Sequence, residues 1–407
     1  MEHRTSTTST DVPAFPIGRT CPFAVPDVYE QLRDGEPIST VTMSDGRSAW
    51  ILTRHDDVRR LMIDPRFSSD RADPGFPAMS GGGKQAFDHF AKFLISMDGE
   101  EHSAVRKPLI SQFSMRAIAA FRPRIQQIVD EAIDGMLEQG PPVDLVAHLS
   151  SVVPSRIIAE LMGVTPAHLT TFYELAAQFL NRETTAQERD GIARGMRSNM
   201  DALVELKERE PGEDILSREI ARQRAEQGEI DRPGLASLAQ LMLLAGHEST
   251  AEMISLGVVG LLSHPDQLRV ILDDPSKTPA AIDELLRYFS VVEIGMARVA
   301  LEDVEIRGVQ IKAGDGVIAS NIAANHDPSV FPDPGALDLQ RDARQHVAQG
   351  FGAHQCIGMN LARTELAVIY DTLFKRVPTL RLESPAEELP FKYDGLIFGL
   401  RSLPVSW

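Results

Sequence analysis

Phe351-Gly-Ala-His-Gln-Cys-Ile-Gly358 is the stretch on which the reading of this chain turns. Glycines at 350, 352 and 358 surround Cys356, and the amphipathic run Leu361, Leu366, Ile369, Leu373 follows at once, so the cysteine sits at a helix N-terminus. There, free backbone N–H groups and the positive end of the helix dipole favour thiolate over thiol, and glycines let a flat, bulky group approach the backbone closely. Taken alone, the cysteine reads equally as a small buried hydrophobe on a glycine turn. A zinc site is the poorest reading, because it needs three or four clustered ligands and Cys21 is the only other cysteine.

The rest of the chain sets limits on function. Its 407 residues exceed the usual single-domain length, yet no composition break marks a boundary. One domain over 13–407 is expected, after a flexible Ser- and Thr-rich tail over 1–12 that lacks the apolar core of a signal peptide. With 43% hydrophobic and 24% charged residues the chain can bury a large core without a membrane. A net charge of -17 repels phosphate backbones and anionic lipid surfaces, which argues against nucleic acid as a partner. The longest apolar run, Leu235 to Ala245, is broken by His247 and Glu248 and falls short of the ~20 residues that span a bilayer. Two cysteines make no disulfide framework and suggest a reducing compartment, hence the cytoplasm.

Periodicity predicts a chain that is mainly α with a minor β part. Ser48–Thr53 reads as a strand after the Asp45-Gly46 turn, and Asp56–Met62 as a helix. Pro, Gly and Ser collect over Asp73–Lys84, a candidate mobile lid. Apolar residues then recur at three- and four-residue steps through Ile118–Met136, Pro154–Met162 and Leu169–Leu180. The longest helix should start at the N-cap Asp231, with Pro233 just inside, and reach about Ser263, roughly 48 Å at 1.5 Å per residue. Short strands follow at 304–306, 309–311 and 317–319.

Three further clusters mean little singly. Glu284-Leu-Leu-Arg287 puts a carboxylate and a guanidinium on one helix face, as many solvated pairs do. Ala245-Gly-His-Glu-Ser-Thr250 places a glycine and two hydroxyls in mid-helix, which weakens the helix locally. His102 and Arg106 stand at i, i+4 and point the same way, as two surface residues also would.

Together, in this order, they resemble the cytochrome P-450 family, from about Phe15 to Trp407. The loop Phe351-Gly-x-His-x-Cys-x-Gly358 is similar to the family's haem-binding loop, which implies haem b (iron protoporphyrin IX), a helical bundle around it with small β-sheets, and Cys356 as the iron ligand within the contacts of Phe351, Gly352 and Gly358. The resemblance makes Glu284 and Arg287 the family's buried pair, with Asp338 and Arg341 in the meander that Arg287 also bonds. It makes His102, Arg106, Arg298 and His354 the propionate contacts, although the usual Asp-Pro-Pro-Glu-His has become Asp98-Gly-Glu-Glu-His102. Ala245 lies over the haem, Glu248 matches the acid that relays protons, and Ser249 matches the alcohol that is usually Thr, with Thr250 able to share that role. Serine keeps the hydroxyl but lacks the methyl that restricts χ1, so coupling of oxygen to product is at stake.

The same resemblance, to soluble actinobacterial hydroxylases, implies insertion of one atom of O2 into a C–H bond. The substrate would be an apolar, fairly large small molecule of macrolide, polyketide, statin-like or sterol-like kind, lined by Ala245, Ile294, Met296 and Ile397. The chain has no flavin or nicotinamide fingerprint and no iron–sulfur cysteine set, so electrons from NAD(P)H must arrive through separate redox proteins, and the resemblance implies a ferredoxin reductase and a small ferredoxin. Arg341, Arg344 and Arg363 are the candidate docking charges on a monomer. The rivals are a peroxide-driven or non-oxygenating haem enzyme and a haem-binding sensor without turnover.

Overall fold

The computed structural model describes residues 12–19, 21, 23–77, 92–181, 184–292, 296–393 and 397–407. In chain order the described helices are α1 (Asp27–Asp34), α2 (His55–Ile63), α3 (Gly99–Ile110), α4 (Met115–Gln139), α5 (Val152–Met162), α6 (Pro166–Leu180), α7 (Ala186–Arg209), α8 (Ile215–Gln227), α9 (Arg232–Ser263), α10 (Pro265–Asp273), α11 (Thr278–Phe289), α12 (Asn321–Asn325) and α13 (Met359–Arg376). The strands are β1 (Ile38–Thr42), β2 (Ser48–Leu52), β3 (Phe67–Ser68), β4 (Val143–Asp144), β5 (Ala297–Ala300), β6 (Val304–Ile306), β7 (Val309–Ile311), β8 (Gly316–Ala319), β9 (Arg381–Leu382) and β10 (Pro404–Ser406).

α9 organises the helical layer. Asp231 caps it by accepting a hydrogen bond from Gly234 N at 3.0 Å, and Pro233 in the first turn gives up a donor that would have been orphaned anyway. Its side chains are apolar on every face, which suits a helix enclosed by others, and α5, α7 and α13 pack around it. The glycine and hydroxyls at its middle do not break it: the helix continues through 245–250, because the Ser249 hydroxyl bonds back to Ala245 O at 2.9 Å and leaves the backbone ladder in place. Among the described residues no helix is long and apolar enough to cross a membrane.

A five-stranded sheet, in the order β1-β2-β8-β5-β3, has one parallel pair, β2 with β8 in the register Trp50↔Val317; its other pairs are antiparallel. A second core forms on it from Leu52, Val58, Phe67 and Val317. The small sheet β4-β10-β9 and the hairpin β6-β7 complete the β part.

Glu284 and Arg287 on α11 are not a surface pair; both side chains are 0% exposed. Arg287 Nε and Nη2 donate to the two Glu284 oxygens at 2.7 and 2.8 Å, and Nη1 donates to Asn325 O and Pro334 O. Glu284 also accepts from Arg341 Nε and Asp338 N, both at 3.1 Å. The pair therefore ties α11 to the irregular segment that leads into the cysteine loop.

Of the expected lid, residues 78–84 lie outside the described residues. Residues 73–77 are anchored: Arg47 Nη1 donates to Pro74 O at 2.5 Å, and Phe76 and Pro77 are buried. The tail over 1–11 also lies outside the described residues. The chain is tied to β1 by residues 13–15, with Phe15 N donating to Thr42 O and Thr42 N to Pro13 O. Arg19 reaches across the molecule, donating to Phe289 O and Ser290 O at 2.9 and 3.0 Å while its guanidinium lies 4.3 Å from the Phe398 ring centroid.

Candidate active site

The cysteine loop is shaped by its glycines. Gly350 and Gly352 take φ of 76° and 74°, and a Cβ at 352 would also come within 2.6 Å of Ile63 Cγ2 on α2. The turn closes with Gln355 N donating to Gly352 O at 3.1 Å and Cys356 N to Gln349 O at 2.8 Å. α13 starts three residues later, at Met359. Phe351 packs under the Arg59 guanidinium, 4.1 Å from its ring centroid.

Cys356 is accessible to a water-sized sphere, yet burial dominates its acidity. Burial pushes the thiol up, against the Gly358 N–H and the charges of Arg106 and Arg363. The helix-terminus argument for a thiolate is thus corrected in sign: here desolvation wins, and a thiolate requires a cation placed directly on the sulfur.

Basic groups converge beside this loop. The His102 ring on α3 lies 4.2 Å from the His354 ring, and Arg106 Nη2 donates to Gln355 O at 2.5 Å. His354 Nε2 meets Ser69 Oγ at 3.1 Å and lies 3.7 Å from Asp98 Oδ1. Arg298 on β5 is buried and donates to Ala297 O at 2.7 Å. Arg71, which no sequence pattern singled out, bonds Ile95 O at 2.7 Å and sits close enough to Arg298 for the two to repel. Burial, with that repulsion, lowers Arg71 to about 10, and burial also lowers Arg106 and Arg298. Burial likewise lowers His102, to about 4, helped by His354, Arg106 and Arg298 and opposed by Asp98. Asp98 itself is held well below the carboxylate range: burial opposes this, but His354, Ser68 and the Ser69 N–H outweigh it.

This donor set suits an anion with several oxygens. Three of these basic side chains, His102, Arg298 and His354, feel the carboxylate of Asp98, and Arg71, His102, Arg106 and Arg298 are all shifted toward losing a proton. Among the described residues, the buried His102 Nε2 has no hydrogen-bond partner. A dianionic group such as a pair of carboxylates would satisfy both the charge and the orphan nitrogen. The residues therefore fit the two propionates of a haem.

Across from the loop, α9 presents Ala245, exposed at the middle of an otherwise buried helix. Ser249, four residues on, shares its face. Thr250 is turned a further ~100° around the axis and is only 6% exposed, so the structure separates the two hydroxyls. Glu248 is not free: Lys392 Nζ donates to its Oε1 at 2.8 Å and to Glu252 Oε1 at 2.5 Å. Burial opposes ionisation of Glu248, but Lys392 outweighs it and holds the carboxyl low. Lys392 and Glu252 went unnoticed in the sequence; the i, i+4 spacing of the two acids was the available signal. His247 turns aside and packs its ring 4.2 Å from that of Tyr173.

The pocket residues fare unevenly. Ile294 lies outside the described residues. Met296 is 8% exposed and packs with Phe67 and Val317 in the sheet-side core, not on an open wall, because β5 begins immediately after it. Ile397 is half-buried and bridges to Val292. Of the three candidate docking arginines, Arg341 lies inside the Glu284 network, whereas Arg344 is exposed and paired with Asp342 at 2.6 Å and Arg363 is paired with Asp283 at 2.8 Å.

Residues 277–406 match the family model described as Cytochrome P450, a span that takes in Glu284, Arg298 and Cys356. The vitamin D3 dihydroxylase of Streptomyces griseolus is 44% identical over 404 residues, 99% of each chain. The crystal structure of cytochrome P450 MoxA from Nonomuraea recticatena superposes with a TM-score of 0.89 at 49% identity, covering 97% of this chain and 98% of that one. CYP105P1, crystallised in complex with filipin I, superposes with a TM-score of 0.88 at 36% identity over 98% and 99% of the two chains. Identity at this level along nearly the whole of both chains, on a shared fold, turns the resemblance of the cysteine loop into a conclusion: this chain belongs to the cytochrome P450 family and is a monooxygenase.

Proposed function

We propose that Cys356 would hold the iron of a haem b through its sulfur, and that the enzyme inserts one atom of O2 into a C–H bond of an apolar, fairly large small molecule. Macrolide, polyketide, statin-like and sterol-like compounds are the classes meant; vitamin D3, in the name of one relative, has this character. Family membership implies haem, dioxygen and reducing equivalents. The source proposed here is NAD(P)H, through a ferredoxin reductase and a small iron–sulfur ferredoxin.

The observation that carries the reading is the gathering of basic groups about the cysteine loop, two of them, His102 and Arg298, buried, with His102 Nε2 lacking a partner among the described residues. His102, Arg106, Arg298 and His354 would hold the propionates, and Arg71 would add its charge behind Arg298. Gly358, where a Cβ would stand 3.9 Å from the sulfur, would leave room for the macrocycle, and Gly352 would let the loop pass close to α2, with Phe351 beside them. Bound there, haem supplies oxygen activation, and a thiolate ligand favours O–O cleavage. The Ser249 hydroxyl would hold a proton facing the reaction space, with Glu248 next to it in sequence as the acid and Thr250 supporting the helix from its buried side. Ala245 and Ile397 are apolar, so substrate recognition would rest on burial, at about 25 cal/mol per Å².

Two measurements test this. The reduced, carbon monoxide-bound protein should give the spectrum of thiolate-ligated haem, and Cys356→Ala should abolish it; an unchanged spectrum in that variant would assign the iron to another residue. With reductase and ferredoxin supplied, substrate should stimulate NADPH consumption, which a sensor would not do and a purely peroxide-driven enzyme would not need.

A further inference from the structure

On one side of α9, two carboxylates and one ammonium are held together. Glu248 and Glu252 stand one helical turn apart, and Lys392 Nζ bridges them at 2.8 and 2.5 Å. Glu252 Oε2 accepts from Leu400 N at 2.8 Å, and the backbone at Gly399 presses so closely that any side chain there would strike the carboxylate. Glu252 is only 3% exposed, whereas Lys392 is 25% exposed at its side chain. The other titratable groups near the cluster are His247, whose Nδ1 is 3.8 Å from Glu248 Oε2, and Tyr173, whose buried hydroxyl has no partner among the described residues. Neither supplies a second cation at neutral pH, since burial lowers His247 and raises Tyr173.

Fully ionised, the triad carries an uncompensated negative charge in a low-dielectric site, with like charges at i, i+4. One additional proton removes it. We propose that Glu252 stores that proton and that Lys392 passes it to Glu248, so that Glu252 and Lys392 are positioning residues that reload the acid beside Ser249. This rests on the reading of Glu248 given above. In the resting arrangement Glu248 is a carboxylate, Lys392 an ammonium and Glu252 a carboxylic acid. Lys392 gives a proton to Glu248, and Glu252 gives its own to the resulting amine. Glu248 ends protonated, Lys392 an ammonium again and Glu252 a carboxylate, with zero net charge before and after. Burial and the neighbouring Glu248 push Glu252 up although Lys392 pulls against them, which favours a stored proton there. Because Glu252 itself is sealed, its exchange with water runs through the partly exposed Lys392 and Glu248.

The test is infrared titration of the haem-loaded protein alongside the pH dependence of product formed per NADPH. Wild type should show a protonated-carboxyl band that disappears with a midpoint near pH 7. Glu365, buried and raised far above the carboxylate range by desolvation, supplies a second band that does not titrate there. Glu252→Gln should remove the titrating band, keep that of Glu365, and flatten the neutral limb of the coupling profile. Lys392→Gln, should the first variant fold poorly, must leave both acids protonated and strengthen the carboxyl signal at pH 7. A titrating band that persists in Glu252→Gln, or a lost band with an unchanged coupling profile, overturns the store. Glu248→Gln separates the two readings: normal coupling in that variant sinks the role of Glu248 itself, whereas impaired coupling there with no effect of Glu252→Gln sinks only the present inference.

Discussion

Glu284→Ala is the substitution whose consequence can be worked furthest. The carboxylate accepts from Arg287 Nε, Arg287 Nη2, Arg341 Nε and Asp338 N, and alanine offers none of these donors an acceptor. Truncation leaves the Arg287 guanidinium, 0% exposed, without its counter-charge, and breaking a buried pair from one side costs about 3–5 kcal/mol. For 407 residues the unfolding entropy scales to roughly 0.85 kcal/mol per kelvin, so the melting temperature should fall by about 4–6 °C. Haem content should fall further than this shift alone suggests, because the lost bonds to Arg341 and Asp338 are those that hold the segment preceding the cysteine loop. Differential scanning calorimetry and haem content per protein, with Glu302→Ala as an exposed control, provide the assay. A melting point within about 1 °C of the control with full haem content would refute the argument.

Ser249→Ala should raise peroxide release per NADPH consumed with substrate affinity unchanged, Ser249→Thr should lower it, and Thr250→Val should have little effect because that side chain faces the protein; a large effect of Thr250→Val would move the hydroxyl role to it. Ala245→Phe should block a bulky substrate while carbon monoxide still binds, as seen in the spectral shifts each ligand produces. His326, lowered to about 3 by burial and by Arg287, is neutral in the fold, while unfolded chain takes up its proton below about 6.5. Between those values the unfolded state binds one more proton, so this site removes about 1.4 kcal/mol of stability per pH unit as pH falls. Denaturant midpoints of His326→Gln across that window should decline less steeply than those of the parent.

What could be read from sequence was local. Asp231 and Pro233 marked the start of α9 because capping depends on adjacent residues, and the glycines around Cys356 marked its loop because positive φ has few tenants. Features assembled across the chain were hidden. Glu284 and Arg287 look like any solvated pair until the segment around 325–341 closes over them. Lys392 meets its two acids 144 and 140 residues away, and Arg71 acquires its surroundings only when β5 brings Arg298 beside it. The preference of Cys356 for thiolate was misjudged because the helix dipole can be seen in a pattern of residues and desolvation cannot.

The reach of Arg19 has a consequence in time. Its partners at Phe289 and Ser290 lie 270 and 271 positions further along. At 5–20 residues added per second, a ribosome takes roughly 15–50 s to deliver them after Arg19 has emerged, and Phe398 follows later still. Throughout that interval this guanidinium lacks these acceptors, and the turn bearing Phe398 and Ile397 has not been made. The segment bearing Ile397, proposed to border the substrate, is therefore a late product of synthesis, so slowing translation near the 3′ end of the message should delay the appearance of ligand-binding protein more than that of its helical secondary structure.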